Sequence, residues 1–581
     1  MRQSPAPVRP SSLARRLPLP LTPPPPASRA PPPRRSLGAF VVALVLSVLV
    51  SLAARTSGAS GGDGTSAGRA RSVIFFVSDG MGPGYVTMTR EAGLCASSTL
   101  GSLTPHLVGL CETRSANSMV TDSAAGATAY ATGFRTDNHV IGEVPIRDFG
   151  VGAPASYRPA GTVLEGAQLA GKRTGIVTTT RVTHATPAAF SSHLADRDDE
   201  NEIAREQVYS LELNVLFGGG RRHFDPSSVA GSARADALDL VADARREGYA
   251  LVTNATSMRR AAREAAAEAA HSPGGGGGGY ASPRAAASSR PRLLGLFAPS
   301  HMPYEMDRAE GDVETPTLAE MTGAALEALA PSEAGFFLLV EAGRIDHAGH
   351  ANDAATAARE VCAYDAAWAV ALEFADRHPD VLVVGSSDHD TGGLSVGCCD
   401  RYAMDGDALR RQKFSAEYVA YAIIDAYGAA RTNGEDVDAQ GPAILAAAFA
   451  AAGRDVDAAE SRITAEALAA LHEMAKAASD PANGAGGTHG YEGWALQNAV
   501  GEALSAASSV GWTSHGHTGV DVAVFARGPG AEAFRGYSRN DEVGRAVIDA
   551  LGVDPAAGLE AFEQRMALKN RASPPPSQTP G

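Results

Sequence analysis

Three short apolar runs, each delivering charged or imidazole side chains at its end, limit what this chain can fold into. Val73–Val77 leads to Asp79 in Ser-Asp-Gly-Met-Gly. Phe336–Val340 leads to Glu341, Asp346 and His350 in Glu-Ala-Gly-Arg-Ile-Asp-His-Ala-Gly-His, and Val381–Val384 leads to Asp388 and His389 in Ser-Ser-Asp-His-Asp-Thr-Gly-Gly. An uninterrupted apolar run of this length is the pattern of a strand covered on both faces, as in parallel sheets packed under helices. Open α/β sheets bind ligands beyond the carboxyl ends of their strands. The expected fold is therefore α/β, a large, mostly parallel central sheet with helices on both faces. Asp346 and His350 are four apart, so a helix starting there places them on one face, able to grip one ion.

Further strands are expected at 175–180 and 521–526, Ala-rich helices at 415–429 and 443–478, and a last helix at 541–551. Residues 200–270 read as mostly helical, broken by a Phe-Gly-Gly-Gly loop at 217–220.

A chain of 581 residues exceeds one ordinary core, which fits one large catalytic body, 71–555, with appendages. Residues 1–70 form a Pro/Arg-rich leader, an apolar run at 37–54 and a small-residue linker. Arg34 and Arg35 precede the run, so it is either a signal peptide or a type II signal anchor, and both send the body across the membrane. Secretion or an extracellular-facing position follows. Residues 271–292, with six consecutive glycines, read as a flexible insertion. Residues 393–511 read as an excursion from the sheet, and 556–581 as a tail that is Pro-rich at its end. The tail lacks the hydrophobic stretch a GPI signal needs.

Net charge is −15, although the first 55 residues hold eight Arg and no acidic residue. So acidic a body argues against nucleic acid or an anionic membrane as its main partner, but not against a phosphate ester, because bound cations can reverse the local sign. Asn254-Ala255-Thr256 is an N-glycosylation acceptor. The five cysteines allow at most two internal bridges. Cys95–Cys111 is the plausible local one, buried free thiols being the alternative.

Phosphoryl transfer with bound cations needs ligands from several strand ends, a nucleophile and a fixed positive group. In sequence order the chain carries Ser-Asp-Gly-Met-Gly (78–82), Thr-Asp-Ser-Ala-Ala-Gly-Ala-Thr (121–128), His-Ala-Thr-Pro-Ala (184–188), the 341–350 motif, Asp-His-Asp-Thr-Gly-Gly (388–393) and Gly-His-Thr-Gly-Val-Asp-Val (516–522). This ordered set resembles the alkaline phosphatase family. The resemblance implies Zn2+ at Asp346, His350 and His517, a second Zn2+ at Asp79, Asp388 and His389, and Mg2+ at Asp79, Thr186 and Glu341. Ser123 resembles the nucleophile that becomes a phosphoserine, and Arg197 stands where the family keeps its phosphate-binding arginine. His184 and His347 would flank the metals; the family varies at both positions, which leaves the third metal's identity open. The resemblance further implies phosphate monoester substrates, double displacement, a homodimer and a crown-type role for 393–511. The family's animal members carry Glu after Gly-Leu-Phe for a calcium site; Ala298 follows here, so that site is not expected.

The alternatives are a phosphodiesterase or sulfatase of the same superfamily, or a non-catalytic phosphate binder. Thr186, Glu341 and Arg197 suit a monoester rather than a diester. No Cys/Ser-x-Pro-x-Arg context suits a sulfatase, and no expected ligand is missing, which disfavours a mere binder.

Overall fold

The computed structural model describes residues 69–95, 100–146, 156–271, 292–312, 314–398, 400–458, 462–480 and 491–572. The expected signal or anchor at 37–54 lies outside the described residues, as do most of the Gly-rich insertion and the end of the tail. Among the described residues no helix is long and apolar enough to cross a membrane.

Ten strands form the central sheet: β1 (Ser72–Val77), β2 (Leu107–Glu112), β3 (Arg173–Arg181), β4 (Val215–Gly219), β5 (Tyr249–Val252), β6 (Arg292–Leu296), β7 (Phe336–Glu341), β8 (Val381–Ser386), β9 (Val522–Arg527) and β10 (Gly536–Arg539). Their spatial order is β10-β2-β9-β8-β1-β7-β3-β4-β6-β5. β9 runs antiparallel to both its neighbours, and every other pairing in the sheet is parallel.

The three apolar runs become the adjacent central strands β8, β1 and β7, buried along their whole length. Side chains alternate between two cores, as a strand's period of two requires. Ile74, Phe76, Leu338, Val340 and Val383 enter one core, and Val73, Phe75, Leu339 and Val384 the other. Phe76 packs 4.9 Å from the ring of Trp368 on one side, while Phe75 meets Tyr130 at 5.4 Å on the other.

The helices that matter for the site are α1 (Ser123–Thr132), α2 (Ala185–Ser191), α3 (Arg344–His350) and α4 (Ala354–Arg377). Four more, α5 (Ala416–Thr432), α6 (Val437–Ala451), α7 (Ala465–Ala478) and α8 (Tyr491–Ser505), belong to the 393–511 segment. They share an apolar cluster of their own that includes Ile423, Tyr427, Phe449 and Leu504. The chain closes with α9 (Asn540–Leu551) and α10 (Pro555–Ala572).

Four details differ from the sequence reading. Phe217–Gly219 is the end of β4 rather than a loop, and β5 interrupts the expected helical stretch. Short apolar runs bounded by glycine fit a buried strand or a helix segment equally well, and here the sheet claims them. Helix α10 was not anticipated; Phe562 anchors it in the core. Cys95 bonds to Cys362, not Cys111, with Cα atoms 5.1 Å apart. Cys95 packs on the α4 side of the sheet, whereas Cys111 is buried in the opposite core, its thiol 3.6 Å from the Tyr130 hydroxyl.

Candidate active site and cation centre

The site assembles beyond the carboxyl ends of β8, β1 and β7. After β1, the chain turns through Gly80 at φ 77°, where a Cβ would stand 2.8 Å from the Asp346 backbone; only glycine lets these segments approach so closely. Ser387 fastens the neighbouring turn by accepting from Met81 N–H at 2.9 Å and donating to the His389 carbonyl at 2.7 Å. Asp79 and Asp388 are thereby held side by side with no exposure.

Helix α3 presents Asp346 and His350 on one face, His350 Nε2 lying 3.3 Å from Asp346 Oδ2. His517 reaches the same place by another route. After the 393–511 segment the chain returns, and His517–Thr518 pairs antiparallel with Asp390–Thr391. This ladder sets His517 Nε2 3.5 Å from Asp346 Oδ1 and 3.1 Å from His350 Nε2.

Each of the three imidazoles engages Nδ1 outside the cluster and turns Nε2 inward. His350 Nδ1 meets the His515 carbonyl, and His517 Nδ1 donates to the Thr121 carbonyl at 2.9 Å. For His389 the tautomer follows from a chain of donors. Thr391 Oγ1 gives its proton to Asp346 Oδ1, so His389 Nδ1–H donates to Thr391 Oγ1 at 3.2 Å, leaving Nε2 as an acceptor. That nitrogen lies 3.0 Å from Ser123 Oγ and 3.4 and 3.3 Å from carboxylate oxygens of Asp79 and Asp388. Fixing the outer nitrogen to hold the inner lone pair in place is how metal-binding histidines are oriented.

Asp79, Glu341, Asp346 and Asp388 are packed together and buried. Burial and the neighbouring Asp388, Asp346 and Glu341 push the Asp79 carboxyl far up. Burial also raises Glu341 to about 7, against hydrogen bonds from Thr178 and Thr180, and raises Asp388 to about 7. Burial opposes the ionised form of Asp346 as well, yet His350 and His517 hold it well below the usual range. Both oxygens of Asp79, Oε1 of Glu341 and Oδ2 of Asp388 are buried without a hydrogen-bond partner. Such a concentration of orphaned carboxylate oxygens is costly unless cations complete it. Oxygen and imidazole donors in these sets match the ligand chemistry of zinc and magnesium.

Ser123 opens α1, whose N-cap is Asp122; Asp122 Oδ1 accepts from Ala125 N–H at 3.0 Å. The other Asp122 oxygen accepts from Arg197 Nη1 at 3.0 Å, and Arg197 Nη2 donates to His184 Nε2 at 3.3 Å. Arg197 is thus inside the site, anchored by the residue next to Ser123. His184 and His347 stand together with their rings 5.5 Å apart, joined by His301 at 5.3 and 4.3 Å.

Apart from Thr186, whose buried hydroxyl has no hydrogen-bond partner among the described residues, the residues singled out from the sequence lie in this one network of contacts. Asp122, Thr391 and His301 were not singled out. Asp122 carried a readable signal, a capping residue directly before the candidate nucleophile; Thr391 and His301 join only through tertiary contacts.

The alkaline phosphatase family model matches residues 70–269 and 283–553. The chain is 33% identical over 499 residues to an alkaline phosphatase of Schizosaccharomyces pombe, covering 83% of this chain and 81% of that protein. It is also 33% identical over 511 residues to the repressible alkaline phosphatase of Saccharomyces cerevisiae, covering 83% and 80%. Among solved structures it is similar to the Thermus thermophilus alkaline phosphatase, with TM-score 0.64 and 28% identity over 88% of this chain and 99% of that one. The cold-active alkaline phosphatase of a psychrophilic Shewanella gives TM-score 0.61 and 30% identity, over 83% and 99%. A matched family model over most of the chain, relatives of this closeness and a site of this composition lead to one assignment: the chain belongs to the alkaline phosphatase family, which are phosphoric monoester hydrolases.

Proposed function

We propose that this enzyme hydrolyses phosphate monoesters through a phosphoserine on Ser123. The observation that carries the reading is the contact of Ser123 Oγ with His389 Nε2 at 3.0 Å, at a helix start and beside a half-buried guanidinium held by Asp122. The positive end of α1 favours the incoming phosphoryl group. Arg197, locked by two contacts, offers its guanidinium edge to the non-bridging oxygens without reorganising.

Asp346, His350 and His517 would hold one Zn2+, Asp79, Asp388 and His389 a second, and Asp79, Thr186 and Glu341 a Mg2+. When bound, these cations supply charge for the serine oxygen, the leaving oxygen and the attacking water. Ser123 Oγ lies 3.0 Å from His389 Nε2; with that nitrogen's lone pair given to the cation, the serine oxygen would be left free to turn its own lone pairs toward phosphorus. The Ser123 O–P bond forms as the ester P–O bond breaks, the alcohol leaves with a proton, and water then splits the Ser123 ester to release phosphate.

Mass spectrometry of enzyme quenched in acid during turnover of an aryl phosphate tests this. Ser123 should carry the phosphoryl group, and Ser123→Ala should lose at least about a thousandfold in kcat. A fully active Ser123→Ala enzyme would refute the reading, as would faster hydrolysis of the matching diester or sulfate.

A further inference from the structure

A cavity of about 350 Å3 opens beside His350, and its wall is made of donors. Arg181, Arg222 and Arg344 line it with His301, His347 and Trp494. They come from the ends of β3, β4, β6 and β7 and from α8, and through His350 and His347 the cavity adjoins the site.

Two of the arginines are neutralised. Arg181 pairs with Glu200 at 2.7 Å, and Arg344 pairs at 3.0 Å with Glu417, the only carboxylate among the lining residues. Arg222 forms no ion pair among the described residues; its Nε donates to His223 Nε2 at 3.1 Å. The cavity therefore holds an uncompensated positive charge in a half-buried place.

The imidazoles reinforce it. His184, His301 and His347 bring nitrogens within 4.8 Å of one another, which suggests a further cation site. Their partners argue otherwise. His347 Nδ1 accepts from Arg344 Nη1 at 2.9 Å, and His301 Nε2 meets the Arg181 guanidinium. A neutral imidazole has one lone pair, and a lone pair spent on a guanidinium leaves only N–H on the other nitrogen. His347 is thereby left with an Nε2–H that can donate to an anion, while both nitrogens of His301 face Arg181 donors, so neither ring offers a metal a free lone pair while the arginines stay in place. Trp494, 54% exposed, covers one side with an apolar face.

We infer that this cavity is an anion subsite for the leaving group, selecting phosphate monoesters whose alcohol carries a second phosphoryl group. The inference rests on the phosphoserine reading of the adjoining site. A phosphoryl dianion would take charge-assisted hydrogen bonds from Arg222 and from the His347 imidazole N–H.

The test compares alkanediol bisphosphates of graded length with the corresponding hydroxyalkyl monophosphates. In low salt the best bisphosphate should exceed its monophosphate about tenfold in kcat/KM, well above the factor of about two expected from carrying two ester groups. The advantage should shrink with added NaCl, and Arg222→Gln should reduce it to that statistical factor, with Arg222→Lys recovering part of it. If wild type shows only the statistical advantage, or Arg222→Gln keeps the full preference, the subsite is overturned while monophosphate turnover still stands. If neither substrate is hydrolysed, it is the phosphatase reading that fails.

Discussion

Asp122 divides its work between its two oxygens: Oδ1 caps α1, and Oδ2 holds Arg197 beside Ser123 while also accepting from His139 N–H at 3.1 Å. The two roles separate chemically. Asn is as good an N-cap as Asp but cannot pair with a guanidinium as a carboxylate does. Asp122→Asn should therefore keep the helix cap and lower the melting temperature only modestly, through the lost His139 N–H contact, yet lose about 10- to 100-fold in kcat/KM for an aryl phosphate, with weaker inhibition by inorganic phosphate. A purely structural role would move stability and leave phosphate affinity alone. The sequence offered Asp-Ser at a helix start and Arg197 in an acidic stretch with the look of a surface pair. What joins them is a contact across 75 positions of sequence, which no local pattern reports.

At the level of elements, His193 ties several segments together. Its Nδ1–H donates to the Gly142 carbonyl at 2.6 Å, Nε2–H donates to Glu165 Oε1 at 2.9 Å, and its ring packs 4.9 Å from Phe562 of α10. Burial disfavours the imidazolium, but Glu165, the Gly142 carbonyl and Glu206 win and raise its pKa to about 9. A base whose folded pKa is raised stabilises the fold fully below its ordinary value and loses that contribution as pH rises through the folded one. His193→Gln should accordingly cost about 3 kcal/mol in urea unfolding at pH 6, the difference shrinking by pH 9. A pH-independent difference would contradict the charged pair. The second clasp is covalent: Cys95–Cys362 bridges residues 267 apart, pinning the segment after the helix Pro83–Ala92 to α4. Replacing both cysteines by Ser should lower stability by roughly 2–4 kcal/mol, read as a fall in melting temperature that reductant no longer deepens. Spacing alone pointed to Cys111, because sequence shows proximity along the chain and not which face of a sheet each residue takes.

On the scale of the whole molecule, the proposed cations should contribute to the stability of the fold. Four buried carboxylates, three of them with orphaned oxygens, sit where three central strands end, and without positive charge they repel one another. The chelated enzyme should melt well below the enzyme loaded with Zn2+ and Mg2+, by an amount equivalent to about 4 kcal/mol at cation concentrations near a thousandfold above Kd. Asp79→Asn, with one charge removed from the crowd, should narrow that gap, and equal melting of stripped and loaded wild type would refute the cation centre. The sequence by itself determined the central strands, the direction in which they deliver Asp79, Glu341 and Asp388, and the helical pairing of Asp346 with His350. All of these are local consequences of apolar runs and of periods of two and 3.6 residues. Only the tertiary structure decided which nitrogen each histidine turns inward, that Arg197 answers to Asp122, that Cys95 finds Cys362, and that His301 and Arg222 share a cavity. Those outcomes depend on where separate strands sit in the order β10-β2-β9-β8-β1-β7-β3-β4-β6-β5. The physical reason is that hydrogen bonds and charges act over a few ångströms of space, whatever the distance along the chain.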